Sequence, residues 1–464
     1  MARTLLSAGR SAIASPGPEP LYRRLADALA ARLEEGDGQK LPSARALARD
    51  LALNRATVTA AYRELSRRGL AVLRPGRPRR ERNGGELGRS ASFDDAPHGA
   101  LDLARWAPDH ALLPTGRIFR WLGLAEREGE DVAQYGSAWG YRPLRSWLAA
   151  RLAGLGVRCS AEDVLLTAGV QHGLDLLLRA LVRPGESVLV EDPTYPGLPP
   201  LLALHRVGAV GVPVGSEGMR APDLAAALRR GRPRLAILTP TLHNPSGTVL
   251  AAAERRQVLT LLQRAGVQAV EEFFDPGLVA DGDAPPPLGA LSGDVVIAGS
   301  FSKSLFPGLR VGWMTGPRPI VERLAAVKRA ADLSGSTFLE AAAFTLCQRG
   351  LYERQLERLR LASCARREIV LAALKGAPAG VTWSRPRGGF SLLLELPKGM
   401  SARAVAARAG ERGVWLLPGP TLSVSGRDDV LRIAFAAAGG KQLEEGMKRV
   451  IAALQPVRGV LPLV

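Results

Sequence analysis

Six apolar runs, 163–167, 187–191, 209–214, 234–239, 268–273 and 294–299, recur along this 464-residue chain. Each has the length of a strand, and amphipathic stretches separate most of them. Runs that are apolar throughout mark strands buried on both faces. Their alternation with helical segments predicts a parallel α/β sheet covered on both sides. Sheets of this kind bind ligands beyond the carboxyl ends of their strands. The motifs that follow the runs are therefore the ones that bear on function.

The most informative motif follows the sixth run. From Gly299 to Trp313, one lysine, Lys303, sits among Ser300, Ser302 and Ser304, and Arg310 comes seven positions later behind Pro307-Gly308. A lysine in a small, largely apolar setting can lose its proton and form a Schiff base with an aldehyde. Serine hydroxyls and an arginine are what a phosphate requires nearby. After the first run, Ala168-Gly169-Val170-Gln171 opens a helix whose N–H groups can hold a phosphate. The second run leads into Asp192-Pro193-Thr194-Tyr195, and the fourth into His243-Asn244-Pro245-Ser246-Gly247. In the fifth, Glu271 and Glu272 are adjacent on one strand and should point to opposite faces.

Taken in order, these motifs resemble those of fold-type I aminotransferases, which hold pyridoxal phosphate (PLP). The resemblance implies a Schiff-base role for Lys303 and phosphate contacts from Gly169, Val170, Gln171, Ser300 and Arg310. It places Tyr195 against the pyridine ring, Asn244 at the phenolic oxygen and Glu272 at the pyridinium nitrogen. Tyr135, in "QYGSAWGYRPLRSWLA", is similar to a tyrosine that reaches the partner subunit's phosphate. Arg432, in "LRIAF", matches an arginine that holds the α-carboxylate of a substrate or effector, and Gly388-Gly389-Phe390 would begin a strand of the smaller subdomain. Four positions depart from the family pattern. Val170 replaces a hydroxyl residue, Gly197 an arginine that clamps a carboxylate in related regulators, Glu272 an aspartate, and Phe274 a tyrosine. Binding tolerates such changes better than turnover, because a displacement of about 1 Å can cost ~100-fold in rate.

The start of the chain has another character. Leu21, Leu25, Leu29 and Leu33 form an apolar stripe on a helix after Pro20. Gly36-Asp37-Gly38 ends it, and Ser43 is placed to cap a second helix running to about Leu51. Asn54 caps a third, with Val58, Ala61, Tyr62 and Leu65 on one face and Gly69 closing it. Leu70–Leu73 reads as a strand, and the Pro75-Gly76 turn as the tip of a wing. The whole is a winged helix-turn-helix. Arg55, Thr57 and Thr59 lie near the N-terminus of the third helix, where a recognition helix meets base edges. Arg45, the capping Asn54, Gly76 and Arg77 complete the candidate DNA-contacting set. "LPSARALARDLALNRATVTAAYREL" and "GLAVLRPG" resemble the GntR family of bacterial regulators.

Charge agrees with this division. Residues 1–90 carry eighteen Lys/Arg against nine Asp/Glu, a net +9 that is half the +18 of the whole chain. A basic head suits a polyanionic partner. The expected organisation is a winged helix-turn-helix over 16–78, a polar linker over 79–100, and an aminotransferase-like domain over 101–456. That combination looks like the MocR subgroup, whose members are head-to-tail homodimers with the large domain as effector sensor. The implied function is PLP-dependent transcriptional regulation in response to PLP, an amine or an amino acid. A catalytically active aminotransferase with a DNA-binding appendage is the alternative. Cys159, Cys347 and Cys364 are few and widely spaced, which fits a reducing cytoplasm. The five histidines are scattered, so no metal site is inferred. No apolar run has the length to span a bilayer, and the N-terminus lacks a signal-peptide core.

Overall fold

The computed structural model describes residues 19–34, 44–67, 96–113, 132 and 134–455. These described residues form two compact units, a small one within 19–67 and a large one within 96–455.

In the small unit, helices α1 (Leu21–Glu34), α2 (Ala44–Asp50) and α3 (Arg55–Arg67) enclose one apolar cluster. Leu25 and Leu29 from α1 meet Leu47 from α2 and Val58, Ala61, Tyr62 and Leu65 from α3. The periodicity of the sequence thus becomes the buried face. Asn54 caps α3, its Oδ1 accepting the Ala56 N–H at 2.9 Å. Helix α2 ends on Ala52 in the left-handed region, φ 51°. Leu53 N–H bonds back to Ala48 O and Ala52 N–H to Arg49 O, which makes the turn of a Schellman motif. Ser43, the 70–73 strand, Gly69, Gly76, Arg77 and the 79–95 part of the linker lie outside the described residues, as do the side chains of Leu33 and Arg45.

Among the described residues, the large unit is built on fourteen strands. They are β1 (Leu101–Asp102), β2 (Val164–Thr167), β3 (Ser187–Asp192), β4 (Gly208–Gly215), β5 (Gly218–Met219), β6 (Leu235–Leu238) and β7 (Gln268–Phe273). β8 (Val296–Ser300), β9 (Gly312–Thr315), β10 (Thr382–Trp383), β11 (Ser391–Glu395), β12 (Val414–Trp415), β13 (Leu417–Pro418) and β14 (Val430–Ala434) follow. Eight of them form one sheet in the order β2-β9-β8-β7-β6-β3-β4-β5. Each of the six apolar runs is a strand of it. β4, β3, β6, β7 and β8 run parallel, while β9 lies antiparallel between β8 and β2. The sheet is thus mixed where an all-parallel one is expected, because Gly-Trp-Met-Thr directly after the Lys303 loop turns straight back along β8.

Two separate apolar clusters cover the faces of this sheet. One contains Leu174, Leu177, Leu198, Leu202, Val321 and Leu324 from the helices over one side. The other contains Leu144, Leu148, Val258, Leu262 and Leu346 from those over the opposite side. A four-stranded antiparallel sheet, β10-β11-β14-β13, forms the smaller subdomain with its own core. β11 starts at Ser391, one residue beyond the Gly388-Gly389-Phe390 expected to open it. The segment from Leu101 is tied to this subdomain: β1 pairs with β12, and Leu103 O accepts the Ala434 N–H at 2.7 Å. That anchoring brings residues 105–107 to the carboxyl ends of β7 and β8.

Candidate functional site

The carboxyl ends of β2, β3, β6, β7 and β8 converge on a cavity of about 560 Å³. Val170, Gln171, Tyr195, Asn244, Glu272, Phe274, Ser300, Lys303 and Arg310 all line it. Residues as far apart in sequence as Val170 and Arg310 therefore meet where the strand-end argument places a ligand.

The Lys303 amine donates to the Trp106 carbonyl, and its Nζ lies 4.9 Å from the centre of the Trp106 ring. Burial pulls the amine down to about 7, and the positive charge of Arg432 adds to the effect. Glu272 opposes it, while Arg310 and Arg105 lower it further. Near neutral pH a large share of the amine is unprotonated, as nucleophilic attack on an aldehyde requires.

Glu272 is buried at the end of β7, with Thr239 Oγ1 donating to its Oε2 at 3.3 Å. The Thr239 N–H donates to Glu191 Oε2 at 2.8 Å, so one threonine bridges two buried carboxyls. Burial pushes Glu272 up to about 7 and Glu191 to about 8. A cation brought against Glu272 would stabilise its charged form. His243 is behind the cavity wall, bonded to Ser246 at 2.8 Å and pulled down to about 3 by burial. It is a neutral neighbour and does not line the cavity. Glu271 points away, as strand alternation requires, and accepts the Leu288 N–H at 2.7 Å.

At the phosphate end, Gly169 caps the helix Val170–Leu181 with φ 95°. A Cβ there would stand 2.8 Å from Arg310 Nη2. Only glycine combines that backbone with so close an approach by the guanidinium. Arg310 is itself left-handed, φ 52°, and Nη2 donates to Ala168 O at 2.7 Å. Ser300 Oγ lies 2.9 Å from Ser302 Oγ and accepts the Ser302 N–H at 3.1 Å. The turn, two hydroxyls and a fixed guanidinium make an anion cradle.

Asn244 and Arg432 are both fully buried and share a hydrogen bond. Arg432 Nη1 donates to Asn244 Oδ1 at 2.9 Å, and Nη2 donates to Ala104 O. The Asn244 Nδ2 is left with no partner among the described residues. Buried amide donors are rarely orphaned in native proteins. This one belongs to a cavity-lining residue, so it suits an oxygen of a bound ring. Arg432 does not line the cavity, and burial pulls it down to about 9. Tyr195 lines the cavity, and a Cβ at Gly197 would come within 2.5 Å of its ring. The glycine there is what lets the Tyr195 ring lie across the turn. Tyr135 is elsewhere, 87 % exposed on the surface.

Arg105, Trp106 and Ala107 line the cavity and escaped the sequence reading, and the first two bear on its chemistry. Trp106 donates from Nε1 to Ser391 Oγ at 2.9 Å, and its ring meets Phe274 and Phe390 edge-on at 5.0 and 5.2 Å. Arg105 lines the cavity beside it. Neither belongs to a periodic element or follows an apolar run, and only the pairing of β1 with β12 brings them in.

In the small unit, Arg55 is exposed, while Thr57 and Thr59 are partly buried. Thr59 Oγ1 is bonded to Arg55 O at 2.8 Å within the helix. Among the described members of the expected DNA-contacting set, Asn54 and Arg55 are exposed at the start of α3, Asn54 with its Oδ1 engaged in the cap.

The family model described as aminotransferase class I and II matches residues 115–450. The one described as bacterial regulatory proteins, gntR family, matches residues 21–80. Among curated proteins, the chain is 27 % identical over 476 residues to the uncharacterized HTH-type transcriptional regulator YdfD of Bacillus subtilis, covering 92 % of this chain and 95 % of that protein. It is 28 % identical over 429 residues to the probable rhizopine catabolism regulatory protein MocR of Rhizobium meliloti, 86 % of each being covered. Among solved structures, it is similar to the α-aminoadipate aminotransferase LysN of Thermus thermophilus, complexed with N-(5'-phosphopyridoxyl)-L-leucine. That match has a TM-score of 0.73 and 31 % identity, and covers 79 % of this chain and 96 % of that one.

Proposed function

The chain belongs to the class I and II aminotransferase family, and its gntR-type DNA-binding head gives it the make-up of the MocR subgroup; we propose that it is a PLP-dependent transcriptional regulator whose large domain senses PLP or an amine. The observation that carries this reading is the Lys303 amine, held near its neutral form on the wall of the cavity. When bound, PLP supplies an aldehyde that exchanges between amines.

In this reading, the Gly169–Gln171 turn, Ser300 and Arg310 hold the phosphate. Asn244 offers its free N–H to the ring oxygen, Glu272 faces the ring nitrogen, and Tyr195 and Phe274 bound the ring. Arg432 keeps Asn244 oriented. The working units are a winged helix-turn-helix over 16–78, a linker over 79–100 and a sensor over 101–456, acting on operator DNA in the cytoplasm. A head-to-tail homodimer brings Tyr135 to the partner's cradle, a role suited to its exposure. A ligand then alters DNA binding to the extent that it binds two arrangements of the dimer unequally.

The test pairs visible absorbance with retention of promoter DNA. Wild-type protein should take up PLP with a new absorbance band and change its retention. Lys303→Ala should bind the same DNA and lose both responses. A Lys303→Ala protein that answers PLP like wild type overturns the reading. A working aminotransferase is the second reading, favoured by the unprotonated share of the Lys303 amine. Sustained product formation from amino-acid donors and an oxo-acid acceptor would establish it.

A further inference from the structure

The turn at the phosphate end of the cavity is held from behind by a histidine that does not line the cavity itself. His172 lies in the first turn of the helix Val170–Leu181, and its Nδ1 accepts the Ala168 N–H at 3.0 Å. The carbonyl of Ala168 accepts from Arg310 Nη2 at 2.7 Å. One residue on, Gly169 O accepts from Thr167 Oγ1 at 3.0 Å. Ala168 is therefore gripped at both of its backbone polar groups, by the arginine of the anion cradle on one side and by His172 on the other. The N–H groups that open the helix after it have no helical partner and are the ones an anion can take.

The other edge of the imidazole is placed as firmly. A ring whose Nδ1 accepts carries its proton on Nε2, and Nε2 faces Asp332 Oδ2 at 3.7 Å. Asp332 also takes the Nζ of Lys328, a fully buried lysine, at 3.1 Å. It closes the helix Arg318–Asp332, and the next residue, Leu333, has φ 62° and ψ −61°. Ser334 N–H bonds across Leu333 to Asp332 O at 2.7 Å, which makes the rare γ-turn of positive φ. Backbone strain of this kind persists only where the surroundings over-determine the chain. Asp332 is thus a fixed point, and the imidazole sits between it and the phosphate turn. Burial, the largest effect, lowers the His172 pKa from 6.5; Lys328 and Arg179 add to this, while Asp332 and Asp175 oppose it. At neutral pH the ring is uncharged, the form in which Nδ1 can accept.

We propose that His172 is a positioning residue for phosphate recognition: by holding the Ala168 N–H it sets the Gly169 turn, and through the Ala168 carbonyl the Arg310 guanidinium, in the arrangement that grips the phosphate. An arginine gives its full charge-assisted contact only when its donors are aimed, and Ala168 O is what aims this one. Loss of the His172 acceptor should therefore cost a phosphorylated ligand and spare the same ligand without its phosphate. The inference rests on the PLP-sensing function proposed above and adds to it a residue outside the cavity.

The experiment titrates the full-length, PLP-free protein with PLP and with pyridoxal, following visible absorbance. The two share an aldehyde and a ring and differ in the phosphate, so the ratio of their affinities within one variant isolates the phosphate grip. Wild type should prefer PLP. His172→Ala and His172→Phe, which lack the acceptor, should each shrink that preference by about threefold or more, within the worth of one hydrogen bond. The phenylalanine keeps the volume of the ring, so either variant gives the reading if the other does not fold. An asparagine Oδ1 stands where the imidazole Nδ1 stands, so His172→Asn should keep most of the preference although it loses Asp332. A parallel fall in PLP and pyridoxal affinity, leaving the ratio unchanged, marks a merely structural residue and overturns the proposal. So does a His172→Asn protein that has lost as much of the ratio as His172→Ala. Failure of wild type to take up PLP defeats the function and this inference together, whereas normal uptake with the ratio unchanged across the variants defeats this inference alone.

Discussion

Arg432 spends one arm of its guanidinium on the Oδ1 of Asn244, at 2.9 Å, and in doing so fixes which way that amide faces. The carbonyl oxygen is taken, so the Nδ2 is left as the donor on offer. Asn244→Ala removes that donor and should weaken PLP binding about tenfold, the worth of one hydrogen bond of roughly 1.4 kcal/mol. It also strands Arg432 Nη1 in the interior, so thermal melts of the PLP-free variant should fall as well. Fluorescence titration with PLP and melts on the same sample separate the two effects.

Lys303 gives a pH dependence with a definite sign. Its amine is held down at about 7 from 10.5, so the folded protein binds fewer protons there than the unfolded chain. Stability therefore rises with pH between about 7 and 10.5, and the deficit is fully present below about 7. Lys303→Met should remove that slope, and melts of PLP-free protein across the interval measure it. In wild type, the rate of PLP capture should climb as pH passes upward through about 7 and then level off, because only the unprotonated amine attacks. A flat rate profile from pH 6 to 9 would contradict this account.

Gly197→Ala should be poorly tolerated. Its Cβ would come within 2.5 Å of the Tyr195 ring, which must then move off the turn. Overpacking of this sort costs about 1–3 kcal/mol. The displaced ring lines the cavity, so PLP affinity should drop along with stability. Adding Tyr195→Phe should leave that loss in place, because the clash is with the ring itself.

Ala52→Gly should stabilise the small unit. Ala52 closes the Schellman turn at φ 51°, in a region that costs an L-residue about 1–2 kcal/mol and glycine almost nothing. Part of that gain is lost to the greater freedom of glycine in the unfolded chain, about 0.4–1 kcal/mol. A net rise in the melting temperature of the small unit, read by circular dichroism on the full chain, is the expected result.

Arg55→Ala should weaken retention of operator DNA and lower the salt slope of binding by about one ion if the contact is to phosphate. The melting curve should not change, since Arg55 is exposed and outside the core. Undiminished retention would remove Arg55 from the docking surface.

The sequence told most where a short pattern has one structural answer. Six apolar runs became strands of one sheet, and residues at or after the ends of five of them lined one cavity, because strand ends are collected by the sheet. The i, i+4 leucines of α1 and the cap at Asn54 were legible for the same reason. What stayed hidden depends on distant pairing. Trp106 reaches Lys303 only because β1 adds to β12, more than 300 residues later, and a two-residue strand has no periodicity to read. β9 was missed because the four residues following the Lys303 loop give no alternation. Gly197 was legible as a lost arginine, but its reason, the ring of Tyr195 lying over it, is a matter of packing.

The Lys303 amine holds the carbonyl of Trp106, and Trp106 stands just downstream of β1, the first described strand of the large unit. Whatever draws that amine away strips a proton donor from the strand's continuation. The strand and its continuation then rest on their other ties, to Gly413, Val414, Trp415, Arg432, Ala434 and Ser391. Chemistry at one nitrogen is in this way felt by the backbone of residues 101–106, which joins β1 to the cavity wall.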